Sequence, residues 1–159
     1  MFTTTMENNI AYGDPWTHEE GIETSSSDAQ LHDYIDTLPE RYRTVVGERG
    51  ASLSGGQRQR MSIARSLILD PAVLIFDDST AAIDARTEER IFAAIRAKAA
   101  SRVTILIAHR LNTLMHADRI LVLEGGTIAE EGTHADLLAL NGRYRALYDL
   151  QHHSFGDRP

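Results

Sequence analysis

Residues 54–78 read SGGQRQRMSIARSLILDPAVLIFDD, and this stretch predicts a helix followed by a buried strand. Between Ser54 and about Leu69, apolar residues recur every three or four positions, the spacing that places them on one face of a helix. Pro71 lacks a backbone donor and closes that helix. Residues 72–76 form a continuous apolar run, as expected for a strand that is covered on both faces.

The same alternation continues toward the C-terminus. The further elements predicted there are a helix over about 85–99, strands over 103–108, 119–123 and 127–130, and helices over about 134–140 and 142–152. A turn at Gly125-Gly126 joins the last two strands. Because strands alternate with helices, the predicted fold class is α/β, with right-handed crossovers.

The N-terminal third has a weaker pattern. Residues 1–26 contain several breakers, including the run Ser25-Ser26-Ser27, and are predicted to be irregular. Asp28 is expected to cap a helix over about 29–37, and residues 40–53 are predicted to be loop. We therefore expect one domain in two parts, a helical lobe over about residues 1–70 and a core over 71–159.

Composition narrows the function classes. The chain has 159 residues, a net charge of −7 and no cysteine, which excludes disulfides and cysteine-ligated zinc. No apolar run is long enough for a transmembrane helix, so we expect any membrane role to come through a partner. The arginines form no basic stripe, and Arg58–Arg65 is interpreted as a solvated helix face. A nucleic-acid partner is therefore not expected.

The residues Ser54-Gly55-Gly56-Gln57 allow two interpretations. Ser-x-x-Gln is a capping box, which closes the start of a helix. A structural cap has no need of two glycines, each of which is less favourable in a helix than alanine by up to about 1 kcal/mol. Glycines let a phosphate approach the N–H groups of a helix N-terminus, where an anion is attracted. The residues alone leave phosphate binding open.

Polar residues also follow the two strands predicted to be most buried. Asp77 and Asp78 come directly after residues 72–76, and His109 follows residues 103–108. Ligands of open α/β sheets bind at the carboxyl ends of strands, and paired carboxylates suit a Mg²⁺–phosphate site. The alternatives are that Asp78 starts the next turn and that His109 is a surface or core residue. Both interpretations remain open.

Four motifs, taken in order, resemble the nucleotide-binding domain of ABC transporters. Leu53–Gln57 is similar to the signature motif, and Leu74–Asp78 to the Walker B strand. Ala81–Asp84 resembles the D-loop, and Ala108–Leu111 the switch-histidine loop. The resemblance extends from about Phe2 to Gln151. It implies a partial P-loop NTPase (RecA-like) core with a helical signature subdomain, and ATP with Mg²⁺ as ligands.

Other segments resemble the exporter type. Glu7–Gly13 is similar to the exporter segment after the Q-loop, with one asparagine where exporters often carry another residue. Thr44–Gly50 resembles the X-loop, which contacts the transmembrane domain and so implies an interface role for Glu48. Gly132–Leu138 and Tyr144–Gln151 resemble the exporter ending. DNA-repair ABC ATPases share the signature but not this X-loop. The implied location is the cytoplasmic face of the membrane, reached through a transmembrane partner.

The resemblance also implies roles for single residues in a head-to-tail dimer of two nucleotide-binding domains. The implied ATP-binding residues are Ser54, Gly55, Gly56, Gln57 and Asp77. Asp77 also holds Mg²⁺ through water. The implied catalytic residues are Asp78, which orients the attacking water, and His109, which contacts the γ-phosphate. Asp84 is implied to cross the dimer interface.

Two departures from the family pattern limit these expectations. The only lysine, Lys98, is not in a Gly-x-x-x-x-Gly-Lys context. We therefore expect a C-terminal portion of one nucleotide-binding domain, inactive alone, with an exposed sheet edge and apolar surface. The family's catalytic glutamate is Asp78 here, whose carboxylate is about 1.5 Å shorter in reach. This favours the degenerate-site half of a heterodimer. The alternative is a truncated, non-enzymatic fragment that at most interacts with a partner half.

Overall fold

The computed structural model describes residues 1–47, 50, 52–98 and 102–156. Its helices and strands are α1 (Met6–Ile10), α2 (Glu19–Asp28), α3 (His32–Asp36), α4 (Gly55–Leu67), β1 (Val73–Asp77), α5 (Ala85–Ala97), β2 (Val103–Ile107), α6 (Leu111–Leu114), β3 (Ile120–Glu124), β4 (Thr127–Gly132), α7 (His134–Leu140) and α8 (Arg143–Gly156). Short 3₁₀ helices lie at Ala11–Gly13 and Arg41–Arg43. None of the described helices is both long and apolar enough to cross a membrane.

The chain divides into two compact units, Met1–Ile107 and Ala108–Pro159. In the first unit, residues from α1, α3, α4 and α5 build one apolar core that includes Ile10, Ile35 and Met61. In the second unit, a smaller core forms around Leu137 and Tyr144. The helical-lobe boundary expected near residue 70 lies inside the first unit and stays a prediction.

Strands β1 and β2 pair in parallel, with Val73 opposite Val103 and Asp77 opposite Ile107. Helix α5 lies between them in sequence, so the predicted α/β pattern is confirmed. The expectation that β1 is covered on both faces is wrong for the described residues. Leu74 is buried in the core, whereas Ile75 on the opposite face is 59% exposed. The apolar surface expected from the sequence is therefore present on this face.

Strands β3 and β4 form a separate antiparallel hairpin rather than extending the parallel pair. The predicted turn is confirmed at Gly125 and Gly126, whose φ angles are +55° and +81°. Such angles are readily adopted only by glycine and a few polar residues. Among the described residues the four strands therefore make two two-stranded sheets.

The prediction that residues 1–26 are irregular is wrong, because α1 and most of α2 lie there. The serine run that was expected to break the chain lies inside α2, with the Ser26 side chain fully buried. Its hydroxyl donates to the Glu23 carbonyl and contacts the Tyr42 hydroxyl. Asp28 is the last residue of α2 and does not cap the next helix. The helix predicted over about 29–37 is observed only as the shorter α3. Tertiary contacts thus outweigh the local signals.

The prediction that the arginines of α4 form a solvated face holds for Arg58, which is exposed, and is wrong for Arg60 and Arg65, which are half-buried. Arg58 donates to the Leu53 carbonyl at 2.6 Å, and Arg60 donates to the Gln30 carbonyl. Arg65 reaches the N-terminal segment and donates to the Asn9 carbonyl at 2.8 Å. Each guanidinium group therefore anchors α4 to a neighbouring segment.

Asn9 is the polar centre of this N-terminal contact, and its side chain is fully buried. Its Oδ1 accepts from the Phe2 N–H at 3.0 Å and from Arg65 Nη2 at 2.9 Å. Its Nδ2 donates to the carbonyls of Phe2 and Thr5. The Arg65 guanidinium also lies 5.3 Å from the Phe2 ring centre and 5.5 Å from that of Tyr12. The N-terminal segment is thereby fixed to α4.

We expect Asn9→Ala to lower the free energy of unfolding by about 2 kcal/mol, because the Phe2 N–H and Arg65 Nη2 both lose the Asn9 Oδ1 acceptor, although Arg65 Nε keeps its bond to the Asn9 carbonyl. The neighbouring Asn8→Ala is the matched control, since Asn8 is exposed and should change stability by no more than about 0.5 kcal/mol. Urea unfolding of both variants measures the difference. Equal destabilisation would contradict the central role of Asn9.

Candidate functional site

The first part of the candidate site is the N-terminus of α4. Ser54 caps this helix: its hydroxyl accepts from the Gln57 N–H at 3.2 Å, while Gln57 Oε1 accepts from the Ser54 N–H at 2.7 Å. The predicted capping box is confirmed, and it occupies the Gln57 side chain. The N–H groups of Gly55 and Gly56 have no intrahelical acceptor at this position, and the described residues provide none.

The glycine pair has a packing role that the sequence analysis missed. A β-carbon on Gly56 would lie 2.9 Å from the Ala82 carbonyl oxygen, too close for any side chain. One on Gly55 would lie 3.4 Å from the Ala82 Cβ. The D-loop backbone thus packs directly against the first turn of α4. The same absence of side chains leaves the N–H groups open to an anion.

The signature motif and the D-loop together line an open concavity of about 420 Å³. Its lining residues are Ser54, Gly55, Gly56, Arg60, Ala82, Ile83 and Asp84. Asp84 caps α5, and the hydrogen bond from the Thr87 N–H at 3.0 Å holds the pKa of its carboxyl below the usual value. Burial lowers the pKa of the Arg60 guanidinium, and the nearby Asp84 carboxylate partly offsets this decrease. The concavity therefore combines a helix N-terminus with a cation and an anion.

Asp77 and Asp78 lie at the carboxyl end of β1, as predicted. The Asp78 N–H donates to the Ile107 carbonyl at 3.0 Å and extends the pairing with β2 by one residue. The Asp78 backbone is left-handed, with φ +46°, a conformation that aspartate tolerates better than most residues. The expectation that Asp78 begins a turn is met as well, since its carbonyl accepts from the Ala81 N–H.

Both carboxylates are exposed and make no hydrogen bond or ion pair with the described residues. Oxygen ligands of this kind fit Mg²⁺, which binds through one or two carboxylates and keeps several waters or phosphate oxygens. No group of three or more acidic or histidine side chains close enough to enclose a metal occurs in the described ranges. The donor set thus suits an ion that arrives with a phosphate ligand.

Three residues around the D-loop escaped the sequence analysis. Thr80 donates its hydroxyl hydrogen bond to the buried Glu88 carboxylate of α5. Gln59 Oε1 accepts from the Ala82 N–H at 2.8 Å. Glu88 carried a visible signal, because it lies three residues before the core residue Ile91 and so falls on the apolar face of α5. Gln59 carried none, since its partner is a backbone group 23 residues away.

His109 belongs to the second unit and follows β2 in sequence, as predicted. Its carbonyl accepts from Gln151 Nε2 at 2.7 Å, while Gln151 Oε1 accepts from the Leu111 N–H at 3.1 Å. The Gln151 side chain thus ties the histidine loop to α8. Glu48, expected at a membrane-domain interface, lies outside the described residues.

Comparisons with known proteins agree with these motifs. A family model described as "ABC transporter" matches residues 2–81. The chain is 49% identical over 154 residues to the ABC transporter ATM1 of Toxoplasma gondii, covering 96% of this chain and 14% of that protein. It is 48% identical over 151 residues to the ATP-dependent lipid A-core flippase of Chromohalobacter salexigens, covering 95% of this chain and 26% of that protein.

A solved structure with the same fold is that of a bacterial Atm1-family ABC exporter with ATP bound. The TM-score is 0.89 at 45% sequence identity, over 95% of this chain and 26% of that one. The chain therefore spans about a quarter or less of the length of these relatives. The fold agrees with the ABC ATPase core inferred from the motifs, and the chain belongs to the ABC transporter family, matching the nucleotide-binding domain of its exporters.

Proposed function

We propose that this chain is part of the ATP-binding engine of an ABC exporter and helps to power transport across a membrane. The observation that carries the proposal is the N-terminus of α4, where the N–H groups of Gly55 and Gly56 have no acceptor among the described residues. A helix N-terminus of this kind is suited to a phosphate group. The D-loop beside it adds the second surface that a nucleotide interface needs.

In this proposal, two nucleotide-binding domains close head to tail over ATP. Ser54 and the N–H groups of Gly55 and Gly56 contact the γ-phosphate of ATP that is held by the P-loop of the partner domain. Asp84 reaches across the interface beside them. Preorganised donors aimed at a phosphate oxygen stabilise the charge that develops there during transfer.

The chain's own nucleotide site would use the carboxyl ends of the strands. Asp77 would hold Mg²⁺ through water, and that ion would neutralise charge on the phosphates. Asp78 would orient the attacking water, and His109 would contact the γ-phosphate. Because Asp78 has a shorter side chain than glutamate, we infer that this site is the weak one of an unequal pair. The intact signature motif then serves the partner's competent site.

The proposed partners are a second nucleotide-binding domain and a transmembrane domain at the cytoplasmic face of the membrane. The segment Thr44–Gly50, which includes Glu48, would contact the transmembrane partner. The relatives named above support an exporter role.

We expect no tight ATP binding by the isolated chain. Its single lysine, Lys98, is paired with Asp28 and is not in a P-loop context. Calorimetric titration with MgATP should give a dissociation constant weaker than about 1 mM, equivalent to roughly −4 kcal/mol. A circular dichroism spectrum with the expected helix content is the control for folding. Binding at micromolar ATP would contradict this expectation.

Ser54→Asp separates the two interpretations of the signature serine. Aspartate is as good a helix cap as serine, so stability should change by less than about 0.5 kcal/mol. Its negative charge repels a phosphate, so ATP hydrolysis by the assembly with a P-loop-bearing partner domain should fall at least about tenfold, which is 1.4 kcal/mol. Ser62→Ala, an exposed change in the same helix, is the control. Unchanged hydrolysis in Ser54→Asp would leave Ser54 a helix cap only.

Asp78→Glu tests the degenerate site in a complete nucleotide-binding domain, in which this chain is joined to an N-terminal segment that carries a P-loop, because Asp78 acts on the ATP that its own domain holds. Moving the carboxylate outward by about one bond should raise ATP hydrolysis roughly 10- to 100-fold. Asp78→Asn, which has no charge and the shorter reach, should stay at or below the parent rate. Glutamate fits the left-handed backbone less well than aspartate, so thermal unfolding should accompany the assay. A rate no higher than the parent rate, in a folded variant, argues against a degenerate site.

A further inference from the structure

The D-loop, Ala81–Asp84, is held from two sides. On one side, Thr80 bonds to Glu88 and Asp84 accepts from the Thr87 N–H, so α5 fixes both of its ends. On the other side, the middle of the loop contacts α4, and the Ala82 N–H donates a hydrogen bond to a side chain of that helix. The backbone of Ala82 is therefore one point at which the signature helix and the D-loop meet.

Two residues of α4 contact the backbone of Ala82. Gln59 Oε1 accepts the hydrogen bond from the Ala82 N–H at 2.8 Å. The Cα of Gly56 lies against the Ala82 carbonyl, so that a β-carbon there would come within 2.9 Å of the oxygen. Gln59 supplies attraction, and Gly56 supplies the space for close packing. Ala82 is thus fixed at both its N–H and its C=O.

We propose that Gln59 is a positioning residue that couples the D-loop to the signature motif. This inference rests on the proposed function, in which Ser54 meets the phosphate of one nucleotide site and Asp84 reaches across the dimer interface. With the Gln59 bond in place, the first turn of α4 and the D-loop move as one body. A change at either one is then transmitted to the other without contact between Gln59 and nucleotide.

Two nearly isosteric substitutions isolate the hydrogen bond. Gln59→Met keeps the length of the side chain and its helix propensity but removes the carbonyl acceptor. Gln59→Glu keeps an oxygen acceptor at the same place. Gln59 is not one of the residues proposed to contact nucleotide, so neither substitution removes such a contact. Because the two variants also differ by one negative charge, the exchange rate of the Ala82 amide, which reads the hydrogen bond itself, is the primary measurement.

Hydrogen exchange followed by NMR measures the bond directly in the full chain. The Ala82 amide should exchange at least about tenfold faster in Gln59→Met than in the parent, and at about the parental rate in Gln59→Glu. The Asp78 amide, which donates to Ile107, is the internal reference and should be unaffected in both. Parental exchange at Ala82 in a folded Gln59→Met variant would overturn the proposal.

Kinetics of the assembly with a P-loop-bearing partner domain supply the second readout. Gln59→Met should lower kcat for ATP hydrolysis about tenfold while KM for ATP stays within about twofold, and Gln59→Glu should restore kcat. Faster Ala82 exchange with unaltered kcat would also overturn the proposal, since the bond would then be structural only. If the parent assembly hydrolyses no ATP, the proposed function is wrong, and the exchange measurement alone decides whether Gln59 positions the D-loop.

Discussion

The close contact between the first turn of α4 and the backbone of Ala82 is the constraint on which the candidate site depends. A β-carbon at Gly56 would collide with the Ala82 carbonyl, so the position has to remain glycine. The same lack of side chains exposes the helix N–H groups to solvent and to any anion that approaches. One packing requirement therefore creates both the D-loop geometry and the proposed phosphate contact. The helix-propensity cost of the two glycines is offset by the capping box formed by Ser54 and Gln57.

The rest of the first unit holds α4 in place for this contact. Its arginines bond to backbone carbonyls of neighbouring segments, and Arg65 also lies over two aromatic rings. The side chain of the buried Asn9 accepts a hydrogen bond from Arg65. The same side chain donates a hydrogen bond to the Phe2 carbonyl in the N-terminal segment. Helix α5 fixes the D-loop from the other side through Glu88 and Asp84. The signature motif is thus the end of a helix that is anchored along its length.

The sequence predicted the elements whose signals are local. The period of α4, its cap at Ser54, the two parallel strands and the glycine turn at Gly125 all follow from neighbouring residues. It failed for α1 and α2, because the buried contacts of Ser26 and Asn9 are made with residues far along the chain. It placed Asp77 and Asp78 correctly, since strand ends are readable from an apolar run. It missed Gln59, because the residues next to Gln59 in the sequence do not indicate that its side chain will accept a hydrogen bond from a backbone N–H 23 residues away.

The apolar face of β1 and β2 has a consequence for how the chain behaves in solution. Val73, Ile75 and Ile105 point away from the described core, and a surface of aliphatic side chains favours association between molecules. The net charge of −7 opposes this by electrostatic repulsion. At 0.1 M salt, repulsion between charges more than about 10 Å apart is largely screened. The attraction between the aliphatic surfaces is not screened by salt. We therefore expect the colloidal stability of the purified chain to decrease as the ionic strength rises, and dilute, low-salt buffers to keep it dispersed.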